Sequence, residues 1–533
     1  SPEEEHSSCG VGLVVNIEGK RSRAVVENGI KALKAIWHRG AVDADGKTGD
    51  GAGIHAQIPV PFFYDQVQRT GHTPRENELI AVGQVFLPRT DYGAQETCRT
   101  IVETEVLRMG YYIYGWRHVP VDISMLGEKA NATRPEIEQI LISNSKGVDE
   151  DTFERELYVI RRRIEKAAIA AQVPTLYIAS MSCRSIIYKG MMLAEQVAEF
   201  YPDLMDERFE SAFAIYHQRY STNTFPQWAL AQPFRMLAHN GEINTLKGNV
   251  NWMRSHEIRM ASSAFGDKAE DIKPIIPSGA SDSSALDSVF EVLVRAGRNA
   301  PMAKTMMVPE AWSKQAVEMP LAWQDMYSYC NAVMEPWDGP AALAMTDGRW
   351  VCGGLDRNGL RPLRYVVTGD GLLVAGSEVG MVQIDEATVI EKGALGPGQI
   401  IAVDMQEGKL FHDTELKDKL AAAQPFGEWV GKVVNLNEGL KDIPEVAVHE
   451  SEELRKRQVA AGYSIEELEQ VLAPMAEDGK EMIASMGDDT PSAVLSKTYR
   501  PLSHFFRQNF SQVTNPPIDS LREIGRASCR ERV

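Results

Sequence analysis

The sequence predicts an α+β fold in which antiparallel sheets are stacked on one another and flanked by helices. A short apolar run begins directly after Cys9 and ends at a Glu-Gly-Lys turn, which is typical of a strand. Hairpin signals recur over residues 340–411, where Asp-Gly and Gly-Asp-Gly turns separate apolar runs. Helical spacing of apolar residues elsewhere supplies the flanking layers.

The elements follow in order along the chain. Apolar residues at helical spacing predict a helix over residues 26–37, which delivers His38-Arg39-Gly40 at its end. A loop rich in glycine and aspartate follows at 43–53, and residues 73–210 alternate between helical and strand-like pieces. Two further runs, 212–220 and 234–239, have the pattern of strands.

A chain of 533 residues has room for two to four domains. The acidic, polar residues 1–8 are unlike a secretory signal and are interpreted as a propeptide or leader. Residues 9–430 form the main predicted domain. The pattern changes beyond about residue 425, so residues 440–523 are assigned to a second domain, in which Ser464 and Glu467 predict a helix-capping box.

Composition excludes several classes of function. The 74 acidic and 56 basic residues give a net charge of −18, which repels a phosphate backbone and argues against nucleic acid as a partner. No apolar run is long enough to span a bilayer, so no membrane partner is expected. Six scattered cysteines without a CxxC pair argue against a metal site in this segment and favour a cytoplasmic location.

Cys9 is the candidate nucleophile, because it lies at the tip of the first predicted strand. If residues 1–8 were removed, its α-amino group, with a reference pKa of roughly 8, would be a general base beside its own thiol. That combination is the logic of N-terminal-nucleophile hydrolases. The alternative is an ordinary buried cysteine.

Four other motifs offer groups that bind a substrate or stabilise a reaction. Arg219, at a predicted strand end, suits bidentate capture of a carboxylate, although surface arginines are common. The Asn240-Gly241 pair is predicted to form a tight turn whose amides converge as an oxyanion hole, or else a plain hairpin. Asp282 is a candidate acceptor for an ammonium group or a helix cap, and Arg39 either shapes an anionic pocket or pairs with a carboxylate.

These groups complement one another chemically. A thiol, two oxyanion donors, one cation and one anion are the parts needed to hold an α-amino acid and cleave its side-chain amide. Glutamine is the substrate that such a set of groups predicts.

The motifs occur in the order seen in class II glutamine amidotransferases, and the chain resembles that family. The matching motifs are Cys9-Gly10-Val11-Gly12, His-Arg-Gly followed by the 48–53 loop, Arg219-Tyr220-Ser221-Thr222, the 239–244 stretch and Ser281-Asp282-Ser283. Within the family, the 48–53 loop and the 334–340 motif resemble the large chains of glutamate synthases. Residues 524–533 depart from the pattern and are interpreted as an atypical, artefactual tail.

The resemblance implies a four-layer αββα N-terminal-nucleophile hydrolase sandwich, followed by the beginning of an α/β linking domain. It implies that Cys9 is the nucleophile and that Asn240 and Gly241 form the oxyanion hole. Arg219 and Asp282 would hold the carboxylate and amino groups of glutamine, with Thr222 and Arg39 nearby.

For the whole enzyme, the resemblance implies that ammonia from glutamine reaches 2-oxoglutarate and yields a second glutamate. FMN, an iron–sulfur cluster and the synthase domains are expected outside this segment. A small NADPH-oxidising subunit is the expected partner, in preference to ferredoxin. The alternative is an unprocessed, inactive precursor that serves only as a docking or regulatory module.

Overall fold

The computed structural model of the protein describes residues 9–219, 225–260, 262–312, 319–378, 380–434, 436, 449–479 and 497. The chain separates after Gly431 into two units. The described strands are β1 Gly10–Asn16, β2 Ala52–Gln57, β3 Ile80–Leu87, β4 Tyr112–His118, β5 Glu136–Ser143, β6 Tyr177–Ser182, β7 Ser185–Gly190, β8 Phe213–Gln218, β9 Leu237–Gly241, β10 Ala341–Thr346, β11 Trp350–Leu355, β12 Arg364–Thr368, β13 Leu372–Gly376, β14 Val389–Ala394, β15 Ile400–Asp404 and β16 Lys409–Phe411.

The helices of the first unit are α1 Arg23–Ala35, α2 Val60–Arg69, α3 Tyr92–Arg108, α4 Glu128–Ala132, α5 Glu150–Ala170, α6 Val197–Phe200, α7 Leu246–Ile258, α8 Asp282–Arg295, α9 Ala300–Met307, α10 Leu321–Val333, α11 Asp413–Ala422 and α12 Phe426–Val430. The strands form three antiparallel sheets, with the orders β14-β12-β13-β1-β8-β2-β7, β16-β15-β11-β10-β9 and β4-β5-β3-β6.

The seven-stranded and five-stranded sheets pack face to face. Alternate residues of β1, namely Val11, Leu13 and Val15, are buried against Ala238 of β9 and residues of β10, β11 and β15. Because side chains alternate across a strand, the residues between them face the opposite side. There, Val14 packs against the apolar face of α1.

Helices cover the outer face of each of these two sheets. On the five-stranded sheet, outward-facing residues such as Leu343 and Met345 pack against α8, α9, α10 and α11. The order helix, sheet, sheet, helix confirms the predicted αββα sandwich. The sequence did not predict that β3–β6 form a separate sheet, whose two faces belong to different hydrophobic cores.

Local differences from the sequence prediction are small. The first helix ends at Ala35, and residues 37–39 form a single 3-10 turn that leaves Trp37 60% exposed, so Trp37 is not a core residue. Asn240 and Gly241 form the last two residues of β9, paired with β10, so the prediction of a tight turn there is wrong.

In the second unit, the structure describes α13 Ser451–Ala460, a π-helical stretch Glu467–Leu472 and α14 Ala473–Asp478. The predicted capping box forms: Ser464 N donates to Glu467 Oε2 at 2.8 Å, and Glu467 N donates to Ser464 Oγ at 3.1 Å. Most of the predicted 440–523 domain, the whole 524–533 tail and the 1–8 leader lie outside the described residues. Among described helices, none combines the length and apolar character that crossing a bilayer requires.

Leu13→Ala tests the packing between the two facing sheets. Leu13 is 1% exposed, and truncation of such a leucine leaves a cavity that costs about 2–5 kcal/mol. We expect a loss of that size in the free energy of unfolding of the first unit, measured by urea titration. Leu107→Ala is the matched control, because Leu107 is 57% exposed on α3. Equal losses in both variants would contradict the assigned core.

Candidate active site

Cys9 lies at the head of a central strand of the seven-stranded sheet. It directly precedes β1, which is paired with β8 on one side and with β13 on the other. Cys9 has the same parity as Val11 and Leu13, which face the second sheet. Continued alternation therefore directs the Cys9 side chain toward the space between the sheets rather than toward α1.

Arg219 lies beside Cys9 at the end of β8. Gly10 pairs with Gln218, so the next position of each chain brings Cys9 and Arg219 together. The Arg219 main-chain N–H donates to Gly51 O at 2.8 Å, and its Nη1 donates to Leu230 O at 3.2 Å. Its parity matches that of His217, which faces the second sheet. Arg219 is 8% exposed.

Arg219 interacts electrostatically with three other groups of this region. Burial lowers the pKa of Arg219, while interactions with Cys9, Asp50 and Asp282 act in the opposite direction. Arg219 is therefore a buried cation that interacts with these three groups, and the interior screens such interactions less than water does.

Asn240 faces the same space from the second sheet. It has the parity of Ala238, which belongs to the core between the sheets, and it is 2% exposed. At Gly241, an added Cβ would lie 1.8 Å from Pro340 O, so only glycine fits against β10. The two predicted oxyanion donors thus lie on β9, whose backbone position is fixed by its pairing with β10.

A hydrogen bond between the sheets aligns these strands. His217 Nε2 donates to His239 O at 3.1 Å, which joins β8 to β9 two residues before Arg219 and one before Asn240. Burial lowers the pKa of His217 to about 3, so this imidazole is neutral at physiological pH. A neutral ring with its proton on Nε2 satisfies the bond without placing a charge between the sheets.

The first turns of α8 hold β9 along its whole length. Asp282 Oδ2 accepts from Ile243 N at 3.0 Å, just beyond the strand, and Ser283 Oγ lies 2.8 Å from His239 Nδ1. Asp287 Oδ1 accepts from Met236 N at 2.8 Å and from Leu237 N at 3.1 Å, where the strand begins.

Of the two alternatives for the 281–283 motif, the helix cap is present, and it is formed by Ser281. Ser281 is the residue that caps α8, since its hydroxyl accepts from Ser284 N at 3.2 Å. Asp282 is therefore not needed as a cap, and its carboxylate retains acceptor capacity beyond its bonds to Ile243 and Ser283.

Arg39 pairs with a carboxylate, which was one of the two alternatives that the sequence offered. It lies in the 3-10 turn after α1, and its Nε donates to Glu378 Oε1. His38 Nε2 lies 2.9 Å from the same oxygen. The structure thus places Arg39 near the head of β1 in an ion pair, while Thr222 lies outside the described residues.

The sequence analysis assigned no role to several residues of this region. Asp50, His217, Ser283, Asp287 and Glu378 all contact or electrostatically influence the predicted set. Asp50, His217 and Ser283 could have been found from the sequence, because they lie in or next to the motifs described above. Nothing in the local sequence marks Asp287 or Glu378, because their partners are distant in the chain.

A second polar cluster consists of His118, Glu136 and Glu138, whose ligand-type atoms lie within 4.8 Å of one another. Arg99 already donates to both Glu138 oxygens, from Nε at 2.9 Å and from Nη2 at 2.5 Å. The cluster is therefore explained as an ion-pair network on paired strands.

Two facing antiparallel sheets between helical layers, with a cysteine heading a central strand, define the N-terminal-nucleophile hydrolase class of fold. Comparison with known families narrows this class. The family model for class II glutamine amidotransferases matches residues 9–429, so the chain belongs to that family. A second model, for the glutamate synthase central domain, matches residues 456–533.

Curated relatives agree with both matches. The chain is 63% identical to the glutamate synthase [NADPH] large chain of Azospirillum brasilense, over 100% of this chain and 35% of that protein. It is 43% identical to the chloroplastic ferredoxin-dependent glutamate synthase of Oryza sativa, over 97% and 32% of the two chains. The Bacillus subtilis NADPH large chain is 41% identical, over 98% and 34%.

The chain spans about a third of the length of these relatives. Among solved structures, it is similar to the glutamine phosphoribosylpyrophosphate amidotransferase of B. subtilis, with 16% identity over 62% of this chain and 49% of that one. The TM-score of 0.26 is too low for this likeness to bear on the fold.

The titration of Asp287 tests its burial between α8 and β9. Burial and the nearby Glu291 raise the pKa of Asp287 from 3.8 to about 6, against a lowering by Arg235 and the backbone N–H groups. The folded state therefore holds this proton more tightly than the unfolded chain. The resulting stability is full below about pH 3.8 and is lost as the pH rises through about 6.

Asp287→Asn removes this titration. Between about pH 5 and about pH 7, we expect the free energy of unfolding of the unsubstituted protein to fall by about 1 kcal/mol relative to the variant. Denaturant titrations at both pH values measure it, with the exposed Asp267→Asn as control. A pH-independent difference would refute the assignment.

Proposed function

We propose that this chain is a glutaminase that hydrolyses the side-chain amide of L-glutamine to glutamate and ammonia. The observation that carries the proposal is the convergence of Cys9, Arg219 and Asn240 on one space between the sheets. Asp282 lies at its border, on the helix that holds the Asn240 strand.

In the proposed reaction, the Cys9 thiolate attacks the amide carbon of glutamine. The negative charge that develops on the carbonyl oxygen is stabilised by the Asn240 side-chain amide and the Gly241 N–H. As the C–N bond breaks, the leaving nitrogen takes the proton that the α-amino group of Cys9 received from its thiol. Ammonia leaves, and a γ-glutamyl thioester remains.

Water completes the cycle. The α-amine of Cys9 accepts a proton from the attacking water, the C–S bond breaks, and glutamate and the thiol are restored. This chemistry requires Cys9 to be the first residue, so we propose that residues 1–8 are removed. An uncleaved chain would be the inactive precursor, left only with a docking or regulatory role.

Substrate recognition is assigned to the charged groups around the cysteine. Arg219 binds the α-carboxylate as a bidentate partner, and Asp282 accepts from the α-ammonium group. Thr222 is proposed as an additional contact. Arg39 is proposed to line the pocket with its charge already balanced by Glu378.

For the whole protein, we propose that the ammonia is delivered to 2-oxoglutarate by synthase domains beyond these residues, which would hold FMN and an iron–sulfur cluster. The NADPH type, with a small NADPH-oxidising subunit, is supported by the 63% identity to the Azospirillum relative, which is named for NADPH. A cytoplasmic location accords with this assignment.

The reactive cysteine is tested by intact-mass analysis after incubation with a glutamine-like diazoketone. Burial raises the pKa of Cys98 to about 11 and of Cys330 to about 12, and it raises those of Cys183 and Cys352 well above the ordinary value. These thiols stay protonated near neutral pH and are poor nucleophiles. We therefore expect loss of eight residues and an adduct on Cys9, with none on these four thiols.

Cys9→Ala should abolish the adduct, and the matched control Cys183→Ala should retain it. An intact leader without adduct would identify a precursor with a silent site. A cleaved leader without adduct would count against glutamine recognition and in favour of a docking module.

Arg219→Ala tests carboxylate recognition. Loss of a charge-assisted bidentate contact is worth roughly 1.5–3 kcal/mol, so we expect the KM for glutamine to rise about 10- to 100-fold. Arg69→Ala, at an exposed ion pair on α2, is the control. Steady-state ammonia release measures both variants, and an unchanged KM for Arg219→Ala would contradict the assigned role.

A further inference from the structure

A cleft of about 580 Å³ opens in the first unit, away from Cys9. It is formed where the end of β3, the chain after α4, the start of β6 and residues 226–229 meet. Its lining, as far as the chain is described, includes two arginines, Arg89 and Arg134, and no aspartate or glutamate. In a chain with a net charge of −18, a cleft without acidic residues is a distinctive feature.

The two arginines are fixed beside each other by neutral acceptors. Arg89 donates from Nε to Arg134 O at 3.1 Å and from Nη2 to Asn131 O at 3.2 Å. Arg134 Nε donates to Asn131 Oδ1 at 3.3 Å. Among the described residues, no carboxylate forms an ion pair with either guanidinium.

Their charges are therefore not neutralised within the described part of the cleft. Burial lowers the pKa of Arg134, and the positive charge of Arg89 lowers it further, against a smaller opposing effect of Glu136. Two like charges held together in a partly buried place repel each other, and a bound anion with two negative charges would relieve that repulsion. Guanidinium groups also match the geometry of carboxylate and phosphate oxygens.

The remaining walls are rigid and largely apolar. Prolines 88, 135, 174 and 226 line the cleft, and they lose little conformational freedom when a ligand binds. Trp228 is fixed in the wall, since its Nε1 donates to Ala130 O at 3.1 Å. The volume lies within the roughly 300–1,000 Å³ of pockets for small molecules, and convergent charges on an apolar wall are typical of such pockets.

We propose that this cleft binds a small organic dianion, with its two negative charges on Arg89 and Arg134 and its carbon body against the proline-rich wall. A dicarboxylate and a phosphate monoester share this chemistry.

The position of the cleft would allow a ligand bound there to affect the proposed glutaminase site. Residues 226–229 form one of its walls. The carbonyls at and just after the end of this wall accept hydrogen bonds from two buried side chains. Arg219 Nη1 donates to Leu230 O, and Lys189 Nζ donates to Ala229 O at 3.1 Å and to Ala231 O at 2.8 Å. A ligand that fixes this wall would also fix the support of Arg219. This consequence rests on the proposed function and predicts a change in the KM for glutamine.

Binding is tested directly, without reference to activity, by calorimetry of the purified chain with glutarate and with phenyl phosphate in a buffer of low ionic strength. We expect saturable binding of at least one probe, and the comparison identifies which anion is preferred. Arg134→Gln should weaken binding at least about tenfold, the effect of losing one charge-assisted contact.

A second variant tests whether weaker binding could result from misfolding instead of from a change in the cleft. Ala132→Glu places a carboxylate on an exposed position of the cleft rim, at the end of α4, and should weaken binding similarly while the melting temperature stays unchanged. Arg108→Gln, at a side chain 66% exposed on α3, is the matched control and should bind like the unsubstituted chain.

Three results would overturn the proposal. These are no binding of either probe, binding that all three variants weaken equally, and binding of a glutamate-rich peptide but of neither small anion, which would identify a protein-docking surface. If the probes bind but the KM for glutamine does not move, the site stands and its coupling to the glutaminase fails. If the chain releases no ammonia at all, only the glutaminase proposal fails.

Discussion

The register between β1 and β8 is the constraint on which the candidate site depends. Side chains alternate across a strand, so a slip of one residue would turn Cys9 and Arg219 from the space between the sheets toward the helical layer. The pairing is fixed because Val11, Leu13 and Val15 on β1 and Phe213 and Ile215 on β8 must all be buried against the second sheet. The same apolar pattern that stabilises the sandwich therefore aims the polar groups at its end.

A second level of organisation fixes the two sheets relative to each other at that end. The hydrogen bond from neutral His217 to His239 O joins the strands just before the site residues, where a charged imidazole would be costly. From the outside, α8 contacts β9 at its start, its middle and just past its end through Asp287, Ser283 and Asp282. A preorganised oxyanion hole needs donors that do not move when charge develops, and this double support provides such rigidity.

Local sequence was sufficient for part of this arrangement. The αββα architecture could be predicted, and short motifs were enough to nominate Cys9, Arg219, Asn240 and Asp282 as candidate site residues. The turn predicted at Asn240-Gly241 was wrong, since pairing with β10 overrode a dipeptide that favours turns elsewhere. The roles of Asp287 and Glu378 and the existence of the third sheet depend on contacts between residues distant in the chain, which no local pattern encodes.

Burial of Arg219 has a consequence for substrate choice in the proposed reaction. A guanidinium that is 8% exposed has lost most of its hydration, and the site balances this only partly through Asp50, Asp282 and Cys9. A free glutamine supplies a carboxylate to this cation and an ammonium group to the remaining acceptor capacity of Asp282. A glutamine within a peptide chain has neither charge, so it would form neither of these two contacts. In the proposed reaction, selection of the free amino acid therefore depends on two charged contacts that only the free amino acid offers.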